Sequence, residues 1–455
     1  MNDLSLSLQD QIRQVLMQAP ECTASQLQVA TGKSQPSISL ALMALGLGER
    51  GGEVQRLGAA RNTRYALRQS ILGLPAQHDV LCDGPGGESH HFGVLTFLHG
   101  DRVHVRSQRS EWLVQGGLPW FLTPLQPQGF LGRELARWRP DFPADPERWS
   151  LAQVLYMAVN HVREPTGAFC LDGPASSSTE LASDSESVPQ RGAHESLADA
   201  CLRLAQRVGT GLPAGSSAAG EQPKFLLREP DGSRWVVKFS PPRGTPFGER
   251  WHALLHLEKL ALDVLGEQGV AHADTQVLET GTRTFLLSRR FDRHARLGWR
   301  HVVAAAAVHD HFVHAPRQHW ISTCRALVKL EMLSPAGLDT VVHAYLFGQL
   351  IGNTDMHFGN LSFAVEDVSR PRFETAPMYD MLPMMWRPNI HSGSLDAQPL
   401  RPPVAVTGCD AQAQEVRGWA VDYWQRACAM DTLGPDVQAA CAVNAQRVQT
   451  GFAGL

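Results

Sequence analysis

The sequence lacks the features that would mark an exported, membrane-spanning or disulfide-bonded protein. Its first residues contain no basic segment followed by an apolar core, so we expect no secretory signal peptide. The most apolar later run, residues 302–308, is far shorter than the roughly 20 residues that a transmembrane helix needs. The eight cysteines include no C-x-x-C pair, which favours reduced thiols over a disulfide framework or a zinc site. We therefore expect a soluble cytoplasmic protein that contacts no membrane.

A strong excess of charge is also missing, since the net charge is −4 and 43% of the residues are hydrophobic. This balance excludes a histone-like polycation and an acidic disordered chain. At roughly 150 residues per domain, 455 residues predict about three folded units. Composition places the first domain at residues 1–72, a small second domain at 78–170, a flexible Ser-rich linker or insertion at 173–196, and the third unit at 197–455.

The first domain carries the signals of three helices followed by a β-hairpin. Thr23 and Gln26 form a capping box ahead of the second helix, and Gly32 can supply the left-handed residue that ends it. Ser34 and Pro36 begin a third helix. Two short strand patterns at 54–57 and 63–67 complete the hairpin. This order resembles a winged helix-turn-helix, which implies double-stranded DNA as a partner.

A recognition helix needs short hydrogen-bonding side chains on its outer face, and the hairpin beside it needs cations for phosphate contacts. Between residues 50 and 68 there are five arginines and one acidic residue, so the hairpin is locally +4. The predicted DNA contacts are Gln35, Ser37, Ser39, Arg56, Arg61 and Arg64. The alternative is a protein-interaction module with a solvated, arginine-rich edge.

Two lysines in the third unit suggest a phosphate site. A run of small residues that includes Ala219, Gly220 and Gln222 ends at Lys224, and Lys238 lies inside a strand pattern. A flexible loop of small residues exposes backbone N–H groups to phosphate oxygens, and a strand lysine pairs with phosphate as a point charge. A lone strand lysine is also common on solvated edges, so neither signal decides the chemistry alone.

The most specific pattern is a pair of acidic residues and an asparagine near residue 360. Asp355 is followed five residues later by Asn360, and Asp380 comes twenty residues after that. This spacing can present one carboxylate to an attacking hydroxyl, and an amide oxygen with a second carboxylate to Mg²⁺. The pattern therefore indicates phosphoryl transfer. The alternative is that all three are ordinary turn-forming residues.

The motifs G-x-Q-P-K, N-T-D-x-H-x-x-N and Y-D-x-L, together with the strand lysine, resemble the HipA family of serine/threonine kinases over about residues 78–430. The L-P-W-F and L-G-R segments of the second domain resemble the N-terminal subdomain of that family. With a winged helix in front, the architecture is most similar to the HipH (YjjJ)-like branch. The resemblance implies an α+β, bilobal, protein-kinase-like fold, with an ATP-binding part at about 197–295 and a mostly α-helical lobe at about 296–455.

The resemblance also implies roles for individual residues. Asp355 would be the catalytic base, His357 would brace its loop, and Asn360 with Asp380 would hold Mg²⁺. Glu258 would orient Lys238, although an exposed helix carboxylate is the alternative. The remaining residues implied to contact ATP are Ala219, Gly220, Gln222, Lys224, and the hinge residues Arg289, Arg290 and Phe291. Ser217, with Ser216 as a second acceptor, falls where the family is autophosphorylated.

The resemblance thus implies an ATP- and Mg²⁺-dependent kinase of the toxin type with its own DNA-binding head. Its implied partners are a protein substrate such as an aminoacyl-tRNA synthetase, and an antitoxin. The oligomeric state stays open, with a homodimer among the alternatives. A competing hypothesis is a DNA-binding transcription regulator whose kinase-like part senses nucleotide without turnover. Phosphorylation of a small molecule or a nucleic acid is a third alternative.

Overall fold

The computed structural model describes six stretches of the chain, namely residues 6–162, 164–172, 188–210, 222–294, 298–388 and 398–452. Helices and strands occur together throughout, which confirms the predicted α+β class. Within these stretches no helix is both long enough and apolar enough to cross a bilayer.

The N-terminal unit contains three helices and a two-stranded antiparallel hairpin in the expected order. The elements are α1 (Leu8–Gln18), α2 (Ala24–Thr31), α3 (Gln35–Ala44), β1 (Val54–Leu57) and β2 (Arg64–Leu67). The predicted capping box forms between Thr23 and Gln26, and Gly32 ends α2 with a φ of 67°. Ile12, Leu27 and other apolar side chains of the three helices form a separate small core. Local sequence signals and packing therefore agree in this unit.

The middle unit is an antiparallel sheet of five strands in the order β6-β5-β4-β3-β7. Its elements are β3 (Gln77–Asp83), β4 (Ser89–Leu98), β5 (Arg102–Ser107), β6 (Glu111–Gln115), α4 (Gly129–Ala136), α5 (Leu151–Asn160) and β7 (Phe169–Leu171). Phe97, Phe121 and Phe169 are buried between the sheet and its helices. The core of this unit is continuous with that of the C-terminal unit, because the same apolar cluster extends through both.

The hairpin of the N-terminal unit packs directly on the middle sheet. Arg68 forms a β-bridge with Leu98, and the Gly58 N–H donates to Glu111 at 2.8 Å. Arg102, only 5% exposed, donates to Glu21 at 3.2 Å. These contacts give the first two units a shared interface with both apolar and ionic contributions.

The C-terminal part of the predicted linker at 173–196 belongs to the folded C-terminal unit. Gln190 forms a parallel β-bridge with Arg228, and Arg191 donates to Glu229 at 2.7 Å. Residues 188–196 therefore pack against the C-terminal unit, because backbone pairing and a partly buried ion pair hold them there. The rest of the predicted linker, residues 173–187, lies outside the described residues.

The C-terminal unit begins with a four-stranded antiparallel sheet in the order β10-β11-β9-β8. Its elements are α6 (Leu197–Thr210), β8 (Lys224–Arg228), β9 (Arg234–Phe239), α7 (Pro246–Glu267), β10 (Thr275–Glu279) and β11 (Thr284–Arg289). Helix α7 follows a Thr245 cap with Pro246 at its start, and apolar or buried side chains occur on most of its circumference. A helix buried on so many sides can hold a functional side chain in a fixed position.

The second lobe is mostly helical around a small sheet in the order β14-β15-β16. Its elements are β12 (Arg293–His294), β13 (Gly298–Trp299), β14 (Val302–Ala304), α8 (Ala305–Phe312), α9 (Trp320–Lys329), α10 (Pro335–Leu350), β15 (Ser362–Val365), β16 (Phe373–Thr375), α11 (Asp410–Cys428) and α12 (Pro435–Gln449). The loop from α10 to β15 and the loop after β16 carry the acidic motifs. The loop after β16 faces the sheet of the first lobe, since Asp380 contacts Lys238.

Candidate functional site

A buried ion cluster joins the two lobes at Lys238. Its ammonium nitrogen lies 2.5 Å from a Glu258 oxygen on α7 and 2.6 Å from an Asp380 oxygen in the second lobe. Lys238 is 5% exposed and Glu258 is 1% exposed. The alternative of an exposed helix carboxylate is therefore wrong for Glu258. Lys224 pairs in register with Lys238 across β8 and β9, which puts both lysines on one face of the sheet.

The charges in this cluster shift one another. Burial would raise the pKa of Asp380, but the Lys238 and Lys224 ammonium groups hold it below its usual value. Burial dominates at Glu258 and raises the pKa of its carboxyl despite the attraction of Lys238. Burial works against the charge on Lys238, yet Asp380 and Glu258 raise the pKa of its ammonium group. Asp380 is therefore the carboxylate that keeps its negative charge most firmly.

Asn353 fixes the loop that carries Asp355. Its side-chain oxygen accepts the Asp355 N–H at 3.1 Å, and its amide nitrogen donates to the Asp380 carbonyl at 3.2 Å. Asn353 is only 4% exposed, so one buried amide couples the two acidic loops. Our sequence reasoning assigned this residue no role. Its position two residues before Asp355 in the same motif was the available signal.

Asn360 and Asp380 offer the kind of ligands that Mg²⁺ takes. The Asn360 amide nitrogen donates to the Asp355 carbonyl at 2.8 Å, so its side-chain oxygen is the atom left to accept a cation. Asp380 adopts a positive φ of 54°, a conformation that is uncommon outside glycine. Mg²⁺ prefers carboxylate and carbonyl oxygens, and it is usually bound by one or two protein groups plus phosphate oxygens. The donor set therefore fits Mg²⁺.

Tyr379 ties the second acidic loop to the first. Its hydroxyl donates to the Gly359 carbonyl at 2.7 Å and lies 2.7 Å from the Ser362 hydroxyl. His357 is exposed, and its Nδ1 accepts the Gly359 N–H at 2.9 Å. The His357 carbonyl accepts the Trp320 indole N–H at 3.0 Å. The loop is thus braced from both sides, with His357 contributing through its own backbone and ring.

The guanidinium and the N–H of Arg290, a predicted ATP contact, are both engaged within the protein. Its guanidinium donates to Asp292 at 2.7 Å and to the Pro165 carbonyl at 2.9 Å, both in the interior. Its backbone N–H donates to the Arg234 carbonyl at 2.9 Å. Neither group is therefore left for adenine. Arg289 has an exposed side chain, and its N–H donates to the Asp274 backbone carbonyl. The ring centroid of Phe291 lies 5.7 Å from that of Tyr379.

The interior contacts of Arg290 belong to a buried network between the middle unit and the hinge. Asp292, 4% exposed, also accepts from Arg293 and from the Gly167 N–H at 2.7 and 2.9 Å. Burial would raise the pKa of Asp292, but Arg290 and Arg293 lower it to about 2. The Arg293 guanidinium also lies 3.5 Å above the Trp299 ring. Glu164 of the middle unit pairs with Arg290 at 3.3 Å.

Four predicted site residues lie outside the described residues, namely Ser216, Ser217, Ala219 and Gly220. Gln222 is described and lies two residues before β8. Of the loop predicted to cover the phosphates, the structure therefore describes only the C-terminal end, which leads into Lys224.

The predicted DNA-contacting residues lie on the N-terminal unit, but its arginines are not equally free. Arg64 pairs with Glu21, and Arg50 pairs with Asp79 and Asp172. Arg56 and Arg61 are exposed and have no ion pair among the described residues. The predicted +4 charge is thus partly neutralised, because acidic residues from neighbouring elements meet these arginines.

The outer face of α3 is less polar than predicted. Gln35 and Ser39 are exposed and Ser37 is partly exposed, as a recognition helix requires. Leu40 and Met43 on the same helix are 69% and 66% exposed. The surface of α3 therefore combines hydrogen-bonding groups with apolar side chains.

Comparison with known proteins gives consistent matches. The HipA-like C-terminal domain family matches residues 216–447, and the middle domain of YjjJ-like toxins matches residues 77–179. The chain is 33% identical over 392 residues to the toxin YjjJ of Escherichia coli strain K12, covering 83% of this chain and 84% of that protein.

One solved structure shows a similar fold. A chain in the complex of Shewanella oneidensis MR-1 HipA and HipB with operator DNA aligns with a TM-score of 0.53 and 15% identity. The alignment covers 82% of this chain and 96% of that chain. The Helicobacter pylori proinflammatory kinase CtkA aligns with a TM-score of only 0.35 and 11% identity, over 53% of this chain and 92% of that chain.

Proposed function

Since this chain belongs to the HipA family of toxins and to its YjjJ-like branch, we propose that it is an ATP- and Mg²⁺-dependent serine/threonine protein kinase. The observation that carries the proposal is the position of Lys238 between Glu258 and Asp380. A strand lysine paired with a helix glutamate is the arrangement that protein kinases use to place ATP phosphates.

In this proposal Asp355 accepts the proton of the attacking hydroxyl, and Asn353 holds its loop at the right place. Lys224 and Lys238 bind the phosphates from one face of the sheet. Asn360 and Asp380 would hold Mg²⁺, which would supply positive charge beside the phosphates of ATP. The lowered pKa of Asp380 supports this role, because a metal ligand has to be ionised.

Transfer of labelled phosphate from ATP tests the proposal. We expect wild-type protein to transfer label, and Asp355→Asn and Asp380→Asn to lose it by roughly 10²- to 10⁴-fold. The matched control is Asp422→Asn, because Asp422 is a carboxylate on α11 whose side chain is 50% exposed. Equal background transfer by the wild type and both variants would instead support the nucleotide-sensing regulator.

The protein substrate is tested separately by phosphoproteomics of cells that express wild type or Asp355→Asn. The family resemblance leads us to expect a serine or threonine on a protein such as an aminoacyl-tRNA synthetase. A protein phosphosite that depends on Asp355 identifies the substrate. Absence of any such site, with label found on a small molecule or nucleic acid, would contradict a protein kinase and support the third alternative.

We also propose that autophosphorylation at Ser217, with Ser216 as a second acceptor, limits the activity. A phosphate there adds about two negative charges near the ATP phosphates, which weakens nucleotide binding by repulsion. ATP affinity of wild type, Ser217→Ala and Ser217→Asp measures the effect. We expect Ser217→Asp to bind ATP more weakly than Ser217→Ala. Equal affinities would refute self-limitation while leaving the kinase proposal intact.

We propose double-stranded DNA as a partner of the N-terminal unit. The order of three helices and a hairpin supports it, and the related Shewanella HipA occurs with HipB and operator DNA. The fused unit would then take the place of a separate DNA-binding antitoxin. Arg56 and Arg61 are the hairpin cations best placed to meet phosphate, because neither has an ion pair among the described residues.

Salt-dependent duplex binding by the full chain tests this proposal. Arg61→Ala should reduce the salt slope by about one phosphate contact, while Arg64→Ala should change it less because Glu21 already neutralises Arg64. Gln35→Ala should alter preference among sequences. Salt-independent binding, or no binding at low salt, would turn the interpretation to a protein-interaction module.

A further inference from the structure

A second cluster of potential ligands lies on the first lobe, away from Lys238. His252 and His256 are one turn apart on α7, and Glu279 ends β10. One ligand atom from each lies within 4.8 Å of the others. Among the described residues this is the one group of three or more histidine, cysteine or acidic side chains that comes so close together.

The ring of His252 is already oriented. Its Nε2 lies 2.9 Å from the Thr432 carbonyl, which can only accept, so Nε2 carries the proton. Nδ1 then carries a single lone pair, which faces two donors, Arg243 at 3.1 Å and the Thr284 hydroxyl at 2.6 Å. A metal ion bound at Nδ1 would have to displace both. A histidine whose other nitrogen donates to a backbone carbonyl is the usual arrangement of a metal ligand.

His256 supplies an unsatisfied nitrogen. Its side chain is 10% exposed, and Nε2 lies 3.0 Å from a Glu279 oxygen. This contact is an ion pair without the geometry of a hydrogen bond, and within the described part of the chain the buried Nε2 has no hydrogen-bond partner. The Glu279 side chain is 43% exposed, so the cluster can be reached from solvent.

Arg243 supplies positive charge to the cluster. One guanidinium nitrogen lies 3.1 Å from His252 Nδ1 and 3.6 Å from Glu279. The Nε of Arg243 donates to Glu249 at 3.1 Å. The guanidinium would therefore still have a carboxylate partner if it moved away from His252 and Glu279. The following residue, Gly244, has a φ of 79° and lies in an exposed turn. A metal cation that enters the cluster would therefore have to displace the Arg243 guanidinium, which is held next to this exposed turn.

We propose that His252, His256 and Glu279 form a binding site for a divalent transition metal ion of the zinc class, with Arg243 as the competing internal cation. Two imidazoles and one carboxylate form a ligand set that zinc accepts, with a further position open to water. The ion would cross-link α7 to the β10–β11 hairpin. It would thereby also hold the helix that carries Glu258.

Titration of metal-free, full-length protein with Co²⁺ and Zn²⁺ tests the site. We expect Glu279→Gln and His256→Gln to weaken binding of one equivalent by at least about 10- to 100-fold, since removal of even an outer-shell partner has effects of that size. Arg243→Gln should strengthen binding by about tenfold or more, because it removes an adjacent positive charge. Glu267→Gln, an exposed carboxylate on the same helix, is the matched control and should change nothing.

Cysteine thiolates could also bind added metal, and the Co²⁺ spectrum distinguishes thiolate ligation from ligation by histidine and carboxylate. Bound Co²⁺ should show visible bands without the intense near-ultraviolet absorption of thiolate ligation. Equal Co²⁺ affinity in wild type, His256→Gln and Glu279→Gln, or a thiolate spectrum for the first equivalent, would overturn the proposal. If His256→Gln fails to fold, Glu279→Gln decides, because its side chain is largely at the surface.

Discussion

Replacing Asp292 by asparagine removes the only acidic group that contacts both Arg290 and Arg293 in the described structure. The substitution preserves shape but places a neutral amide against two buried guanidinium groups. Arg290 keeps Glu164 at 3.3 Å, whereas Arg293 loses its one direct ion pair among the described residues. We therefore expect a large loss of stability that is centred where the middle unit meets the hinge.

Two estimates of the loss in folding free energy have the same order of magnitude. The pKa of Asp292 is about 2 in the folded chain, and its distance from the usual 3.8 corresponds to about 2 to 3 kcal/mol. Removing one partner of a buried ion pair typically costs about 3 to 5 kcal/mol, because the remaining charge stays uncompensated. Because the folded pKa is lowered, this stabilisation is present above pH 3.8 and is lost as the pH falls toward 2.

Urea unfolding followed by tryptophan fluorescence measures the effect, since Trp299 lies against the Arg293 guanidinium. We expect Asp292→Asn to lower the free energy of unfolding by about 3 to 5 kcal/mol. The control Asp422→Asn breaks an exposed pair with Arg426 and should cost less than about 1 kcal/mol. Equal losses in the two variants would refute the role of this network.

Four further substitutions test how the chain packs. Burial lowers the pKa of His301 to about 3. The stability that the neutral imidazole contributes should therefore be complete above pH 6.5 and fall as the pH decreases toward 3. In His301→Gln, the urea concentration at the unfolding midpoint should vary less with pH across that range. Tyr379→Phe removes the bond to the Gly359 carbonyl and should cost about 1 to 2 kcal/mol in thermal unfolding while lowering phosphate transfer. Gly248→Ala would place its Cβ 1.9 Å from the Pro242 carbonyl oxygen and should cost about 1 to 3 kcal/mol. Gly418→Ala on α11 meets nothing within 4 Å and should gain about 0.5 to 1 kcal/mol.

For each substitution, one result would contradict the expectation. Unchanged pH dependence in His301→Gln would show that this imidazole does not titrate with unfolding. Wild-type phosphate transfer in Tyr379→Phe would show that the two acidic loops are positioned without its hydroxyl. Equal thermal stability of the two glycine variants would contradict the close approach at Gly248.

Local signals predicted the N-terminal elements well. The Thr23 capping box and the left-handed Gly32 involve residues within one turn of each other, so the sequence contains everything that they need. The hairpin strand Val54–Leu57 has the predicted bounds, and Arg64–Leu67 begins one residue later than predicted. Such features depend on backbone and side-chain chemistry that is independent of the rest of the chain.

The candidate site was predicted in part. Asp355 and Asn360 share one short loop, and spacing alone indicates that they can act together. Whether Glu258 faces solvent or Lys238 depends on how α7 packs on β9, and the sequence left both alternatives open. Asn353 was missed because its value lies in a bond to the Asp380 carbonyl, 27 residues away.

Charge was the least predictable property. Counting arginines between residues 50 and 68 gave +4, but Glu21 and Asp172 come from other parts of the chain to meet Arg64 and Arg50. The same holds for Arg290, whose partners include Glu164, 126 residues away. Net charge in a segment therefore overestimates the charge that a ligand meets when tertiary ion pairs form.

The interface between the N-terminal hairpin and the middle sheet determines how the DNA proposal has to be studied. A fragment that ends at residue 75 would leave Leu57 and Ala66 without Leu98, the residue that completes their small apolar cluster. It would also leave Glu21 without Arg102. A negative result with such a fragment would report on its folding. Mutations in the intact protein are the way to separate recognition from stability.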